Sequence, residues 1–372
     1  MTTDWRLIAL LFITGLFAAA QFAKIALTLE PLAASYPGAP LPWIVSALSL
    51  AGILFGVTAG MVVARFGARR VLLLAILGAA MASAAQAMLP AFPVLVALRL
   101  AEGITHLAMV VAAPTLMAAV AAPADKPVAM GLWGTFFGVG FAAAAAVIPL
   151  LSGPSTVFIA HALGLLILAA ALWPMLPRGV ARDTGQGGFV ARHVAIYTNP
   201  RLLAPALGFI WHTITFLGLL TFLPRVIGGW TAPVLPLVAL VGTFGAGVLA
   251  RRIAPRQLLV ASFVLSIAGL LAAIALPETL RIWLILPLFV ILGLVPGASF
   301  ANVPALNPDP ADQARANGAV AQLGNVGTAC STPLFAAALT YGFTGLALTA
   351  AAMFAAGLGA VWLIHRNISE ST

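Results

Sequence analysis

The sequence consists of long apolar runs separated by short polar breaks, and this pattern restricts the possible fold more than any other feature. The runs reach about 20 residues, the length that a helix needs to cross the hydrocarbon core of a bilayer. Of the 372 residues, 62% are hydrophobic and only 7% are charged, whereas a soluble domain has about 25% charged residues. A water-soluble fold could not bury so much apolar surface, so the sequence predicts an all-α integral membrane protein.

Twelve apolar segments are long enough to be transmembrane helices. The breaks between them contain turn-forming sequences such as Tyr36-Pro37-Gly38 and Ser152-Gly153-Pro154. The predicted spans are residues 6–29, 42–64, 71–89, 93–119, 129–151, 156–176, 202–223, 233–250, 257–276, 281–301, 317–339 and 343–365.

The distribution of basic residues predicts the orientation of these spans. If the N-terminus lies in the cytoplasm, fourteen of the eighteen Lys and Arg residues fall on the cytoplasmic side. Arg225 and Arg281 fall on the opposite side, and Lys24 and Arg99 lie within spans. Because cytoplasmic loops carry an excess of Lys and Arg, we expect both termini in the cytoplasm and the chain in an inner (plasma) membrane. This orientation also explains the net charge of +9, so nucleic-acid binding is not expected.

The second half of the sequence repeats features of the first half at a shift of 187 residues. The triplet Pro123-Ala124-Asp125, for example, recurs as Pro310-Ala311-Asp312. Such a tandem duplication is the architecture of many secondary transporters. Other matched pairs are Gly60 and Gly247, Arg65 and Arg252, Arg69 and Arg256, Gly131 and Gly318, and Gly140 and Gly327.

The duplication predicts two pseudo-symmetric six-helix bundles joined by a linker. We assign residues 1–176 to the N-terminal bundle, 177–201 to a cytoplasmic linker and 202–372 to the C-terminal bundle. The linker is the longest polar stretch and contains Gly185-Gln186-Gly187-Gly188, which is typical of a solvated tether. A regulatory role for this linker is the alternative.

The stretch 60–70 places three arginines and two glycines in one short connection between apolar segments. It resembles the loop between helices two and three of the major facilitator superfamily, Gly-x-x-x-Asp-Arg-x-Gly-x-Arg-Arg. Ala64 stands where the family has an aspartate that helps to close the cytoplasmic gate. The residues that match this gating motif are Gly60, Arg65, Gly67, Arg69 and Arg70.

The sequence from Arg99 to Gly103 is similar to the family's Arg-x-x-x-Gly motif in helix four. The resemblance implies a secondary transporter, proton-coupled or facilitative, that moves a small organic solute by alternating access. A Gly-Pro pair typical of drug–proton antiporters is absent from residues 134–150, which disfavours an exporter of drugs or metabolites without excluding it. A non-transporting membrane assembly or sensor protein is the alternative from another class.

Arg99, Glu102 and His106 recur at helical spacing in span four and therefore share one face. A charged group within a span costs about 2.5 kcal/mol or more, so this face must be turned away from lipid. In one interpretation, Arg99 and Glu102 form a buried pair that ties helices together, with His106 hydrogen-bonded nearby. In the other, Glu102 or His106 exchanges a proton during transport.

Gln21 and Lys24 share one face of span one, where Lys24 could bind a substrate carboxylate. Alternatively, Lys24 extends to the bilayer surface and pairs with Glu30. The second half supplies uncharged candidates instead, which could contact substrate or hold helices together. Because both intramembrane cations lie in the first half, an organic anion or zwitterion is the favoured solute. The second-half candidates are Trp211, His212, Asn302, Gln322 and Asn325.

No sequence motif indicates catalysis. Phosphate-binding glycine loops, nucleophile elbows and metal-ligand spacings are all missing. A single cysteine, Cys330, excludes an intrachain disulfide and a cysteine metal site. We therefore expect no enzyme activity, cofactor or metal; the expected partners are a small-molecule substrate, protons and the lipid bilayer around a monomer.

Overall fold

A computed structural model describes residues 2–178 and 189–370, so residues 179–188 of the predicted linker lie outside the described residues. The described chain is built from α-helices and short connections. The helices are α1 (Trp5–Ala26), α2 (Leu29–Ser35), α3 (Pro42–Phe66), α4 (Ala68–Ala87), α5 (Phe92–Val120), α6 (Lys126–Gly134), α7 (Phe136–Val147), α8 (Pro154–Met175), α9 (Phe189–Thr198), α10 (Pro200–Phe222), α11 (Pro224–Ile227), α12 (Thr231–Leu249), α13 (Pro255–Ala275), α14 (Glu278–Leu306), α15 (Pro310–Leu339) and α16 (Gly342–Glu370), with a 3-10 turn at Ile148–Leu150.

Local chemistry fixes several helix boundaries. The Asp4 carboxylate accepts a hydrogen bond from the Leu7 amide at 3.0 Å, which satisfies one of the free donors at the start of α1. Gly67 separates α3 from α4 with a φ of 86°, a left-handed conformation that glycine adopts without steric cost. The apolar runs of the sequence therefore become separate helices at the predicted polar breaks.

Ten helices of the described chain are long and apolar enough to cross a membrane. α6 and α7 together would make an eleventh span, but they meet at a bend of 45°. The predicted span 129–151 is thus broken between Gly134 and Phe136. The predicted span 317–339 lies in α15, which is 30 residues long but carries too many polar side chains to be among these ten. Neither the predicted count of twelve spans nor the cytoplasmic termini are confirmed.

One compact unit, unit 1, comprises Met1–Ala122, Phe136–Arg192 and Asp309–Gln322. Within it, α1 packs on α5, α7 and α8, while α4 packs on α5 and α8. A Cβ built on Gly103 of α5 would lie 2.8 Å from the carbonyl oxygen of Leu48, so α3 and α5 are in backbone contact. This close packing places the polar face of α5 in the interior of the unit.

The second compact unit, unit 2, comprises Pro123–Thr135, His193–Pro308 and Leu323–Thr372. α14 lies at its centre and packs on α10, α12 and α13, and α16 covers α10 and α13. A Cβ on Gly293 would lie 2.0 Å from the Ala239 carbonyl oxygen, so α12 and α14 touch through their backbones. Buried aromatic side chains such as Phe263 and Phe289 fill the core.

Each unit contains a segment from the other half of the duplicated sequence. In unit 1, a Cβ on Gly318 would lie 2.9 Å from the Cα of Gly60; in unit 2, a Cβ on Gly131 would lie 2.6 Å from the Cα of Gly247. The shift of 187 residues carries Gly60 onto Gly247 and Gly131 onto Gly318, so the two contacts are equivalent by duplication. The division at the linker 177–201 stays a prediction.

Candidate functional site

A cluster of charged side chains is buried in unit 1, where α1 meets α5. Lys24, Arg99 and Glu102 are each at most 1% exposed. Lys24 Nζ lies 2.6 Å from Glu102 Oε1, and Arg99 Nη1 donates a hydrogen bond to Glu102 Oε2. The carboxylate of Glu102 therefore has one cationic partner on each oxygen, and it joins two helices.

Neutral groups complete the shell around these charges. Gln86 Nε2 on α4 donates to Glu102 Oε2 at 2.7 Å, and Arg99 Nε donates to the Ile44 carbonyl oxygen at 2.9 Å. Arg99 Nη2 has no hydrogen-bond partner among the described residues. Two cations thus share one carboxylate, and the cluster carries an excess positive charge when Lys24 is protonated.

The structure does not show the predicted pairing of Lys24 with Glu30, and substrate binding by Lys24 stays a prediction. Its ammonium group is buried rather than extended to the bilayer surface, and Glu30 is exposed at the start of α2. Its partners are Glu102 and the hydroxyl of Ser83, to which it donates at 2.8 Å. Arg99 and Glu102 thus form a buried ion pair with Lys24 as a third member, and proton exchange by Glu102 or His106 stays a prediction.

His106 and Gln21 meet at the interface of α5 and α1. His106 Nδ1 lies 3.0 Å from Gln21 Oε1 and 3.1 Å from the Ala18 carbonyl oxygen. Both of these oxygens are acceptors, so Nδ1 must carry the ring hydrogen. The His106 ring also meets Phe22 edge-on, with centroids 5.1 Å apart. The two predicted residues are thus brought together beside the charged cluster.

Ser83 and His161 belong to the same buried network and were missed by the sequence analysis. Ser83 Oγ lies 2.9 Å from the Phe158 carbonyl oxygen and 3.1 Å from His161 Nδ1, while His161 Nε2 lies 3.1 Å from the Phe17 carbonyl oxygen. An ionisable residue inside an apolar run is a functional candidate in itself, and His161 lies inside the predicted span 156–176. Nothing in the sequence distinguishes Ser83.

In unit 2, the polar candidates lie along α10 and α14. The His212 ring stacks on Phe216 with centroids 4.7 Å apart, and it is 5% exposed. Ser299 on α14 faces α10 near His212, because a Cβ built on Gly208, one turn before His212, would lie 3.3 Å from Ser299 Oγ. Several buried polar atoms here have no hydrogen-bond partner among the described residues: His212 Nδ1, Ser299 Oγ and Asn302 Nδ2.

The remaining second-half candidates do not form one group. Trp211 packs against α16, since a Cβ on Gly357 would lie 2.9 Å from Trp211 Cγ. Gln322 Nε2 donates to the Ile53 carbonyl oxygen at 2.7 Å within unit 1. Asn325 belongs to unit 2.

Comparison with known proteins identifies the family. The family model of the Major Facilitator Superfamily matches residues 7–306. The chain belongs to this superfamily. No curated protein sequence matches it.

Solved structures of superfamily transporters share the fold. The chain superposes on FucP in the outward conformation with a TM-score of 0.75, 14% identity and coverage of 96% of this chain and 98% of that one. For the human organic anion transporter MFSD10 (TETRAN), the TM-score is 0.72, with 18% identity and coverage of 97% and 100%. For the proton:xylose symporter XylE, the TM-score is 0.73 and the identity 14%, with coverage of 96% of this chain and 95% of that one. At these low sequence identities, the similarities show a shared fold and nothing about the solute.

The superfamily's loop motif lies at the junction of α3 and α4. A Cβ on Gly60 would lie 2.7 Å from the Ala314 carbonyl oxygen, so α3 is in contact with the start of α15 in unit 1. Arg69 donates to the Trp173 carbonyl oxygen at 2.9 Å, near the end of α8. Arg65 lies over the Phe66 ring at 5.5 Å, and Arg70 is exposed. Ala64, at the aspartate position of the motif, is 2% exposed.

Proposed function

We propose that the chain is a secondary transporter that moves a small organic anion or zwitterion across an inner membrane by alternating access, either coupled to protons or facilitative. The carrying observation is that Lys24 and Arg99 share the single carboxylate of Glu102 in the interior of unit 1. An excess positive charge in a low-dielectric interior attracts anions and repels organic cations. The human organic anion transporter among the similar structures agrees with this charge preference.

The uncharged part of the solute needs neutral contacts. His212, Asn302 and Ser299 have buried polar atoms without partners among the described residues, and a buried polar group is stabilised when it gains a hydrogen bond. We propose these groups, together with Trp211, as contacts for the solute body. Gln322 and Asn325 are weaker candidates, because Gln322 already binds the backbone of α3.

Glu102 is the proposed coupling residue, with His106 as the next proton station. A carboxylate flanked by two cations is stabilised in its charged form. Protonation of Glu102 removes its charge and weakens its ion pairs with Lys24 and Arg99, so it can be linked to a conformational change where α1 meets α5. His106 follows Glu102 by one helical turn on the same face of α5.

Uptake into proteoliposomes tests the proposal. Radiolabelled monocarboxylates, amino acids, nucleosides and a lipophilic organic cation are each supplied with and without an imposed pH gradient. We expect accumulation of at least one anion or zwitterion and none of the cation. Accumulation of the cation alone would favour an exporter of cationic compounds and overturn the proposed charge preference; no transport of any probe would favour the non-transporting alternative.

A further inference from the structure

We propose that His161, Ser83 and Lys24 form a proton relay that supplies Glu102. This inference rests on the proposed function, because it provides the path of the coupling proton. The relay consists of three consecutive contacts: His161 Nδ1 to Ser83 Oγ at 3.1 Å, Ser83 Oγ to Lys24 Nζ at 2.8 Å, and Lys24 Nζ to Glu102 Oε1 at 2.6 Å. Every member is at most 7% exposed, so bulk water does not compete for these contacts.

The hydrogens available at Ser83 and His161 do not satisfy all of their contacts at once. A carbonyl oxygen only accepts, so His161 Nε2 must donate to Phe17. In a neutral ring, Nδ1 is then an acceptor and needs the hydroxyl hydrogen of Ser83. The same hydrogen is needed by the Phe158 carbonyl oxygen, 2.9 Å from Ser83 Oγ. One hydroxyl hydrogen therefore has two alternative acceptors, and a second proton on His161 would satisfy both contacts.

This ambiguity is the property that a relay requires. When His161 carries two protons, Lys24 transfers one proton to Glu102 Oε1, Ser83 gives its hydroxyl proton to the resulting Lys24 amine, and His161 Nδ1 restores the Ser83 hydroxyl. One N–H bond is lost at His161 and one O–H bond is gained at Glu102. Lys24 and Ser83 return to their initial protonation states, and the transferred proton comes from the medium through His161.

The charges that face His161 are all part of the same cluster. α1 contributes Lys24, and α5 contributes Arg99 and Glu102, which act electrostatically on the ring. α4 contributes the neutral side chain of Ser83 at this level, because its Arg70 lies thirteen residues earlier, about 20 Å along the helix. Two cations repel a second proton on His161, so the doubly protonated ring is a transient carrier rather than the resting form.

Nitrogen NMR of the full chain tests the relay without a substrate. The protein is labelled at histidine with ¹⁵N, placed in nanodiscs of phosphatidylethanolamine and phosphatidylglycerol, and followed between about pH 5 and about pH 9, where histidine titrates. The His161 signals are assigned with His161→Asn. We expect the neutral Nε2–H tautomer to dominate over this range and the Nδ1 signal to show exchange broadening that grows as the pH falls, because the ring transiently gains and loses the relayed proton.

Variants of Ser83 give the decisive comparison. In Ser83→Ala, proton exchange at His161 Nδ1 should slow by about a hundredfold, at the low end of the effect of a positioned proton-transfer group. Ser83→Thr keeps the hydroxyl and should restore exchange. The control is Ser262→Ala in unit 2, since Ser262 is buried and only donates to the Leu258 carbonyl oxygen at 2.7 Å; this change should leave exchange at His161 unaltered.

Two results would overturn the relay. The first is a His161 Nδ1 signal without exchange broadening at any pH in the range; the second is equal Nδ1 exchange in Ser83→Ala and Ser262→Ala. Neither result concerns transport of an organic solute, which the proteoliposome panel measures separately. If Ser83→Ala does not fold, Ser83→Thr and Lys24→Met test the relay instead. The relay requires that exchange at His161 Nδ1 is unaltered in Ser83→Thr and slowed in Lys24→Met.

Discussion

Lys24 Nζ lies 2.6 Å from Glu102 Oε1, and both side chains are inaccessible to solvent. This contact joins α1 to α5 and makes Glu102 the common partner of two cations. Replacing one member of such a cluster leaves an uncompensated charge in a medium that solvates it poorly. The effect of each replacement therefore depends on the charge that is left behind.

We expect Glu102→Gln to destabilise the fold more than Lys24→Met. The first change leaves both Lys24 and Arg99 without a carboxylate, whereas the second leaves Arg99 and Glu102 as a balanced pair. Removing one partner of a buried ion pair costs about 3–5 kcal/mol, and we expect Glu102→Gln to approach this range. Thermal unfolding in detergent checks the order; a lower unfolding temperature for Lys24→Met would contradict it.

If Glu102→Gln is reconstituted successfully, it should separate exchange from accumulation. Without a titratable carboxylate, a pH gradient cannot drive net uptake, while counterflow of an accepted solute needs no proton transfer. The measurement is proton-driven uptake and counterflow of the most strongly transported member of the probe panel. Glu30→Gln is the control, because Glu30 is an exposed carboxylate on α2. Proton-driven accumulation by Glu102→Gln would show that the proton does not travel through Glu102.

A third prediction concerns the glycine contacts repeated by the duplication. A Cβ on Gly247 would lie 2.6 Å from the Pro127 carbonyl oxygen and 2.7 Å from the Gly131 Cα, whereas a Cβ on Gly245 would meet nothing within 4 Å. Gly247→Ala should therefore destabilise the protein by about 1–3 kcal/mol through overpacking. Gly245→Ala, on the same helix, should be neutral or stabilising by up to about 1 kcal/mol.

Thermal unfolding of the two alanine variants, measured side by side, distinguishes these outcomes. An equal effect of Gly247→Ala and Gly245→Ala would mean that the close approach of α6 and α12 is unimportant for stability. Gly318→Ala provides the equivalent test in unit 1, where its Cβ would lie 2.7 Å from the Gly56 carbonyl oxygen.

The loop motif gives a prediction about gating. Arg65 is exposed and lies over the Phe66 ring, so Arg65→Ala should leave folding intact while it slows transport through the loss of a cation at the end of α3. Arg6→Ala is the control, because Arg6 is an exposed arginine outside the motif. The initial rate of counterflow is the measurement. Equal rates for Arg65→Ala and Arg6→Ala would restrict Arg65 to a role in membrane orientation.

The sequence by itself determined the membrane-spanning helical character, the duplication and the polar face of α5. These features are local or periodic: an apolar run of a given length has few alternatives to a helix in lipid, and Arg99, Glu102 and His106 must share a face at their spacing. The matched motifs also led to the correct family, which the match over residues 7–306 shows.

Only the tertiary structure decided which side chains surround Glu102. The contacts of Lys24 and His161 with Ser83 join residues 59 and 78 positions apart, and helical periodicity does not specify the rotation of one helix against another. The same holds for the start of α15, which packs in unit 1 although it belongs to the second half of the duplication. Its packing depends on glycine positions that allow the two backbones to touch. The shape of both helix surfaces determines this contact, and the periodicity of either helix alone does not specify it.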